Sequence, residues 1–120
     1  MLVVINTSVK AEWVVIGVND NSTYYANPDT IRKSGNKVKM WVLLDMNTIQ
    51  ESLGDKYLSM KAQEQFDCSE EQRKVLYLSQ HSKNMGGGDV VYSGATPDSN
   101  WFPVSPESMN ELAWKFACGK

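Results

Sequence analysis

The middle of the chain alternates apolar and polar side chains with a period of two residues, and this pattern restricts the fold more than any other feature. Residues 38–45 place four aliphatic side chains on one face, opposite a mixed set that includes Lys39 and Trp41. Residues 57–68 and 73–80 alternate in the same manner. Because such alternation packs one face of a strand on a core and leaves the other in solvent, the pattern predicts an antiparallel sheet.

The neighbouring segments complete a predicted sheet of about six strands. Residues 13–18 are rich in β-branched and aromatic side chains, and residues 23–26 form a second short run of this kind. Residues 46–55 contain Asn and Gly without a clear period, so we predict a loop there. Residues 90–92 form a further short run after the glycines at residues 86–88. Strict alternation in residues 73–80 places Val75 and Tyr77 on the same face.

One segment near the C-terminus has the period of a helix. Ser105 is a good N-cap, Pro106 suits the first helical position, and Gly119 suits the position after the last turn. Between them, apolar residues recur at the spacing that lines one side of a helix: Met109, Leu112, Ala113, Phe116 and Ala117. The predicted fold class is therefore α+β, a twisted antiparallel sheet with one C-terminal helix packed on one face.

The two cysteines, Cys68 and Cys118, allow three interpretations: unrelated buried thiols, a disulfide, or a nucleophile with a spare thiol. Cys68 ends a predicted strand and Cys118 lies in the last turn of the predicted helix, so a bond between them would join helix to sheet. Closing a loop of about 50 residues would stabilise the fold by about 4 kcal/mol. We therefore predict one disulfide, which in turn predicts export to an oxidising compartment.

The N-terminal segment has the character of a secretory signal. Residues 2–5 are apolar, and residues 9–11 are of the modest size found at signal-peptidase sites. We interpret residues 1–11 as a signal-peptide remnant or a disordered lead, and residues 12–120 as one domain of ordinary size. The alternative is that the segment leads directly into the first strand. No run of about 20 apolar residues is present, so no membrane span is predicted.

Patterns for catalysis and metal binding are weak throughout. The single histidine, His81, is a conceivable base for a Cys68 thiolate, but the disulfide explains that cysteine better and no third group is indicated. Neither CxxC nor a cysteine–histidine cluster occurs, which argues against zinc. The glycine run at residues 86–88 lacks the lysine of a phosphate-binding loop. We predict a protein that is not an enzyme and needs no cofactor.

Charge is unevenly distributed, although the net charge is only −2. Our candidate binding patch for a protein partner combines four basic residues in an acid-free stretch with a tryptophan turned away from the predicted core: Arg32, Lys33, Lys37, Lys39 and Trp41. The alternatives are a merely solvated face, or one of two complementary surfaces in a homodimer. The acidic counterpart would comprise Glu64, Asp67, Glu70 and Glu71. Without an overall basic surplus, nucleic acid is not expected as a partner.

The order of these features resembles the surface-adhesin protein E family of bacterial envelope proteins, over about residues 12–118. The clearest segment reads I-x3-G-x2-V-x2-W-x-L-x-D, from Ile31 to Asp45. The other matching positions are Trp13, Tyr24, Tyr25, Ser59, Lys61, Asp67, Cys68, Arg73, residues 86–88, Trp101, Pro106, Ser108 and Cys118.

The resemblance implies an exported protein with an antiparallel sheet, a C-terminal helix, the same cysteine pairing and, in some members, dimerisation. It also implies adhesion, since the best-known member binds host matrix and plasma proteins. We therefore expect a non-catalytic binding module, periplasmic or on the cell surface, that binds extracellular-matrix or plasma proteins or polyanions. The alternative is a periplasmic structural or accessory protein that acts through homodimerisation or a bacterial partner.

Overall fold

The strands are longer than the sequence pattern indicates, and neighbouring strands are antiparallel. The computed structural model describes residues 12–96 and 100–120, so the predicted signal remnant at residues 1–11 lies outside the described residues. The strands are β1 (Val14–Val18), β2 (Ser22–Ser34), β3 (Lys37–Ser52), β4 (Asp55–Asp67), β5 (Gln72–His81), β6 (Val90–Ala95) and β7 (Phe102–Pro103). They pair in the order β1-β2-β3-β4-β5-β6, and the short β7 pairs with β5. With one C-terminal helix, α1 (Met109–Cys118), the predicted α+β class is confirmed.

The sheet has two faces that differ in what covers them. On the helix face, α1 packs against a buried cluster that includes Tyr24, Ala26, Val38, Met40, Val42, Ala62, Phe66, Ala113, Trp114 and Ala117. We call the opposite face the loop face, because a single 3-10 turn at Asn84–Gly86 covers one end of it. The alternation predicted for residues 38–45 is confirmed, since Val38, Met40 and Val42 are all buried on the helix face.

The predicted loop at residues 46–55 is wrong. β3 continues to Ser52, which pairs with Asp55 of β4, and a two-residue turn at Leu53 and Gly54 joins the strands. Leu53 has φ 52° and Gly54 has φ 87°, the left-handed values that such hairpin turns require. The end of β3 escaped the alternation pattern because most of its side chains are exposed, so neither face had to be apolar.

A bulge in β5 corrects the phase predicted for that strand. The register between β4 and β5 shifts at Leu76, which has no Cα partner in β4, whereas Val75 and Tyr77 on either side of it do. One extra residue reverses the alternation. Val75 therefore shares the helix face with Leu78, and Tyr77 lies on the loop face.

The helix begins at Met109, so its predicted start at residues 105–106 is wrong. Ser108 is the N-cap, and its hydroxyl accepts a hydrogen bond from the Glu111 backbone N–H at 3.2 Å. Glu107 has φ 63°, which α-helical backbone does not adopt, so the preceding residues form a separate turn. Among the described residues, no helix is both long and apolar enough to cross a membrane.

The predicted disulfide is confirmed. Cys68 follows β4 and Cys118 ends α1, with their Cα atoms 5.7 Å apart. Trp114 reinforces this junction, because its Nε1 donates a buried hydrogen bond to the Asp67 carbonyl at 2.8 Å. Gly119 then ends the helix with φ 69°, as its position predicts. A covalent bond and a buried hydrogen bond thus hold the helix to the end of β4.

Candidate binding surface

The structure divides the predicted basic residues between the two faces. Arg32 lies directly opposite Lys39 across β2 and β3, and both side chains are exposed on the loop face. Lys37, two residues before Lys39, shares this face. Lys33 instead lies opposite Val38, a buried residue of the helix face, and therefore extends to that side. Three of the four predicted basic residues thus remain together.

The strand register extends this group across four strands. Lys39 pairs with Arg32 on one side and with Gln65 on the other, and Gln65 pairs with Lys74. Directly opposite side chains have Cβ atoms about 5 Å apart. We name Arg32, Lys39, Gln65 and Lys74 the basic row. It holds three positive charges and no carboxylate, and Lys74 was not among the residues predicted from the sequence.

Trp101 lies beside the basic row, between two lysines. Its ring centroid is 5.0 Å from Lys74 Nζ and 5.8 Å from Lys37 Nζ, within the range of cation–π contacts. Lys37 Nζ also lies 3.8 Å from an Asp67 carboxylate oxygen. The Ser69 hydroxyl donates to Asp67 at 2.7 Å and lowers the pKa of that carboxyl. Asp67 is therefore engaged by Lys37 and by its own turn.

A second row runs alongside the basic row. It lies two residues away along β3 and β4, while register shifts make the separation five residues in β2 and three in β5. Asn27, Trp41, Gln63 and Tyr77 face one another across β2 to β5, and we name them the aromatic row. The rings of Trp41 and Tyr77 meet edge to face, with centroids 5.7 Å apart and planes inclined at 63°. Trp41 is half-buried, so it forms the wall of a pocket rather than the freely exposed anchor that its strand phase predicted.

That pocket has a volume of about 220 Å³, and its walls are Trp13, Asn27, Thr30, Trp41 and Lys61. Asn27 is only 6% exposed, and its Oδ1 accepts a hydrogen bond from the Asp29 backbone N–H at 3.1 Å. The Asn27 side-chain amide therefore forms a polar part of a pocket wall that is otherwise lined by two tryptophans, a threonine and a lysine.

The turn Asn84–Gly86 closes the other end of the loop face. Oδ1 of Asp45 accepts hydrogen bonds from Asn84 Nδ2 at 3.0 Å and from the Met85 backbone N–H at 2.8 Å. The Ser59 hydroxyl accepts from the Gly86 backbone N–H, also at 2.8 Å. These bonds fix the turn on the sheet, so the exposed part of the loop face is the end that carries the two rows.

His81 is buried close to this turn and does not form the thiol–imidazole pair considered from the sequence, because Cys68 is in the disulfide. His81 is 6% exposed, and its Nε2 lies 2.8 Å from the equally buried Ser79 hydroxyl. Burial, followed by the charge of Lys61, lowers the pKa of the imidazole. The part of the chain that the structure describes contains no group of three or more His, Cys, Asp or Glu residues placed to hold a metal ion.

A cavity of about 340 Å³ lies on the helix face beside α1, with apolar walls and one polar end. The Glu64 carboxylate, in a residue only 3% exposed, accepts from Arg73 Nη1 at 2.6 Å and from the Tyr24 hydroxyl at 3.0 Å. Burial, followed by the charge of Glu64, raises the pKa of Tyr24. Asn110, with its amide oxygen turned towards Arg73, accepts from Nη2 at 3.2 Å. The predicted acidic surface is therefore wrong for Glu64, and Asp67 is buried as well.

The family profile described as surface-adhesin protein E matches residues 13–119, which carry both faces and both rows. The chain belongs to this family. No match was found among curated proteins.

Solved structures of protein E from Haemophilus influenzae share the fold. Crystal form II has a TM-score of 0.70 at 13% identity, covering 94% of this chain and 91% of that chain. The selenomethionine form has a TM-score of 0.68 at 14% identity, with coverages of 94% and 90%. Protein E from a non-typeable strain has a TM-score of 0.61 at 14% identity, with coverages of 94% and 79%. At such low identity, the likeness establishes the fold alone.

In this member of the surface-adhesin protein E family, the candidate surface differs in composition from the one predicted. Lys74 and Trp101 join it, and Lys33 leaves it. A signal for Lys74 was present, since the polar turn at residues 69–71 joins two alternating segments and limits the registers that they can adopt. Trp101 belongs to no alternating segment, so no local pattern places it.

Proposed function

We propose that this protein is an exported, non-catalytic, adhesin-like binding module of the bacterial envelope, and that it binds extracellular-matrix or plasma proteins through the loop face. Membership of the surface-adhesin protein E family supports an adhesin-like surface protein. The basic row carries the proposal, because Arg32 and Lys39 are exposed and Lys74 extends the positive charge to a further strand. Such charge recruits acidic partner surfaces and speeds their association.

A binding panel on the oxidised protein tests this proposal, with laminin, vitronectin and plasminogen immobilised. One variant reverses the three charges of the basic row: Arg32→Glu, Lys39→Glu and Lys74→Glu. A matched variant reverses three exposed lysines that lie outside it: Lys33→Glu, Lys56→Glu and Lys83→Glu. We expect saturable binding that the first variant loses and the second keeps. Equal effects of the two variants would remove the loop face from the proposal.

The second candidate is a periplasmic structural or accessory protein that acts through homodimerisation or a bacterial partner. It is favoured by exposed apolar side chains on the two outermost strands among the described residues, namely Val15 and Val18 in β1 and Val90 and Tyr92 in β6. Unpaired strand edges readily pair with another chain. Sedimentation of the oxidised protein over the micromolar range checks this candidate. A concentration-dependent dimer would support it, whereas a monomer throughout would remove its dimer version.

A further inference from the structure

We infer that the exposed end of the loop face binds a linear sulfated polysaccharide, which lies across the strands with its sulfate groups on the basic row and its sugar rings on the aromatic row. This inference rests on the proposed binding function of the loop face and names its ligand class. Unlike the proposed function, it requires no protein partner.

The two rows form parallel tracks across the sheet. Neighbouring strands lie about 4.8 Å apart, and alternate residues along one strand about 6.7 Å apart. Lys39 is one strand from Arg32 and two strands from Lys74, so the three positive charges extend over about 14 Å. A linear sulfated polysaccharide carries negative groups at regular intervals on an extended backbone. One straight segment of it can therefore meet all three charges.

The basic row is unfavourable for the protein without a ligand. Arg32 and Lys39 lie directly opposite each other, and like charges in that relation destabilise a sheet. The position of Arg32 is nevertheless fixed, because its Nη1 donates to the carbonyls of Asp29 and Ile31 at 3.0 and 2.9 Å. A polyanion removes the repulsion when it binds. Its binding energy therefore contains a contribution that an uncharged ligand lacks.

The aromatic row supplies the groups that recognise sugar rings. The apolar C–H surfaces of a pyranose pack on aromatic rings, and side-chain amides exchange hydrogen bonds with hydroxyl groups. Trp41 is held by Tyr77 and lines the same pocket as the side-chain amide of Asn27. Gln63 and Gln65 place two further amides between the strands that carry the charges. An acidic peptide would use the basic row alone, so the combination of rings, amides and cations favours a charged sugar.

Isothermal titration of the oxidised protein with heparin, and with fully desulfated heparin, tests the inference. The row variant neutralises the three charges of the basic row: Arg32→Gln, Lys39→Gln and Lys74→Gln. The control variant neutralises three exposed lysines elsewhere: Lys33→Gln, Lys56→Gln and Lys83→Gln. We expect heparin to bind about thirtyfold more weakly to the row variant, as three exposed ion pairs allow, with a shallower salt dependence. The control variant should match the unaltered protein, and desulfated heparin should not bind.

A separate pair of variants tests the aromatic row. We expect Trp41→Leu to weaken heparin binding without changing its salt dependence, because the substitution removes a ring contact and no charge. Because Trp41 is half-buried, its thermal unfolding is recorded alongside. Tyr77→Leu removes the ring that supports Trp41 from a different strand, so it provides the same readout if Trp41→Leu does not fold.

The outcomes separate this inference from the proposed function. Equal weakening in the row and control variants would overturn the inference, as would tight binding of desulfated heparin. It would also fall if an acidic peptide or single-stranded DNA displaced heparin and both aromatic variants bound heparin normally. If the row variant loses matrix-protein binding but binds heparin as the control variant does, the adhesin proposal stands and the polysaccharide is ruled out. If the protein binds heparin but none of the immobilised proteins, the polysaccharide inference stands and the adhesin proposal is ruled out.

Discussion

Replacing Arg73 with methionine should destabilise the fold far more than the loss of a surface ion pair does. The Glu64 side chain is 4% exposed and that of Arg73 is 21% exposed, with Nη1 2.6 Å from the carboxylate. Without Arg73, the carboxylate keeps only the Tyr24 hydroxyl, at 3.0 Å. Removing one partner of a buried pair costs about 3–5 kcal/mol. Because Arg73 is partly exposed, we expect the lower end, about 3 kcal/mol.

A second substitution shows whether the unpaired charge is the cause. In the double variant Glu64→Gln, Arg73→Met, no charge remains in the cavity and the glutamine oxygen can still accept from Tyr24. We therefore expect the double variant to regain more than half of the lost stability.

The assay is urea unfolding of the oxidised proteins at neutral pH, followed by tryptophan fluorescence. Lys115→Met is the control, because it removes an exposed ion pair with Glu111 at 3.6 Å and should cost less than about 1 kcal/mol. A cost for Arg73→Met no larger than that of the control would contradict the role given to the buried ion pair. So would a double variant that is no more stable than Arg73→Met alone.

Three further perturbations follow from the fold. Replacing Cys68 and Cys118 with alanine opens a loop that spans 50 residues and should cost about 4 kcal/mol, measured by urea unfolding against the oxidised protein. Gly17→Ala places a Cβ 2.7 and 2.8 Å from two flexible side chains of α1, so we expect a loss of about 1 kcal/mol, and an unchanged midpoint would contradict the close approach of β1 to the helix. The lowered pKa of His81 means that the folded state binds a proton less readily than the unfolded chain does. The contribution of neutral His81 to the stability of the fold is therefore present above about pH 6.5 and is lost as the pH falls through the folded pKa. Stability measured against pH should therefore fall less on the acid side in His81→Asn than in the unaltered protein.

The elements that could be predicted from the sequence are those with one face on the core. Residues 38–45 and the apolar stripe of the helix carry their period because burial requires it. The end of β3 carries none, because its side chains extend past the core. The bulge at Leu76 could not be predicted from the alternation either. Each half of β5 alternates regularly, and only the pairing with β4 shows that one extra residue reverses the faces between the two halves.

The same distinction applies to the candidate surface. Arg32, Lys37 and Lys39 are close in sequence and lie on two paired strands, so the sequence could group them. Lys74 and Trp101 reach them only through the register of β5 and the return of the chain after β6, which long-range pairing decides. The alternation within β3 also does not predict that Trp41 is half-buried, because Trp13 and the amide of Asn27, which line the same pocket, come from other segments of the chain.

The position of the basic row relative to the disulfide has a mechanical consequence. Along β3, Val38 lies under the helix and Asp45 binds the Asn84–Gly86 turn on the other face, about 23 Å away. The basic row therefore has α1 and the disulfide directly behind it, through the thickness of the sheet. A force applied to that row would act on strands that a covalent bond ties to the helix, far from the hairpin tip at Leu53 and Gly54.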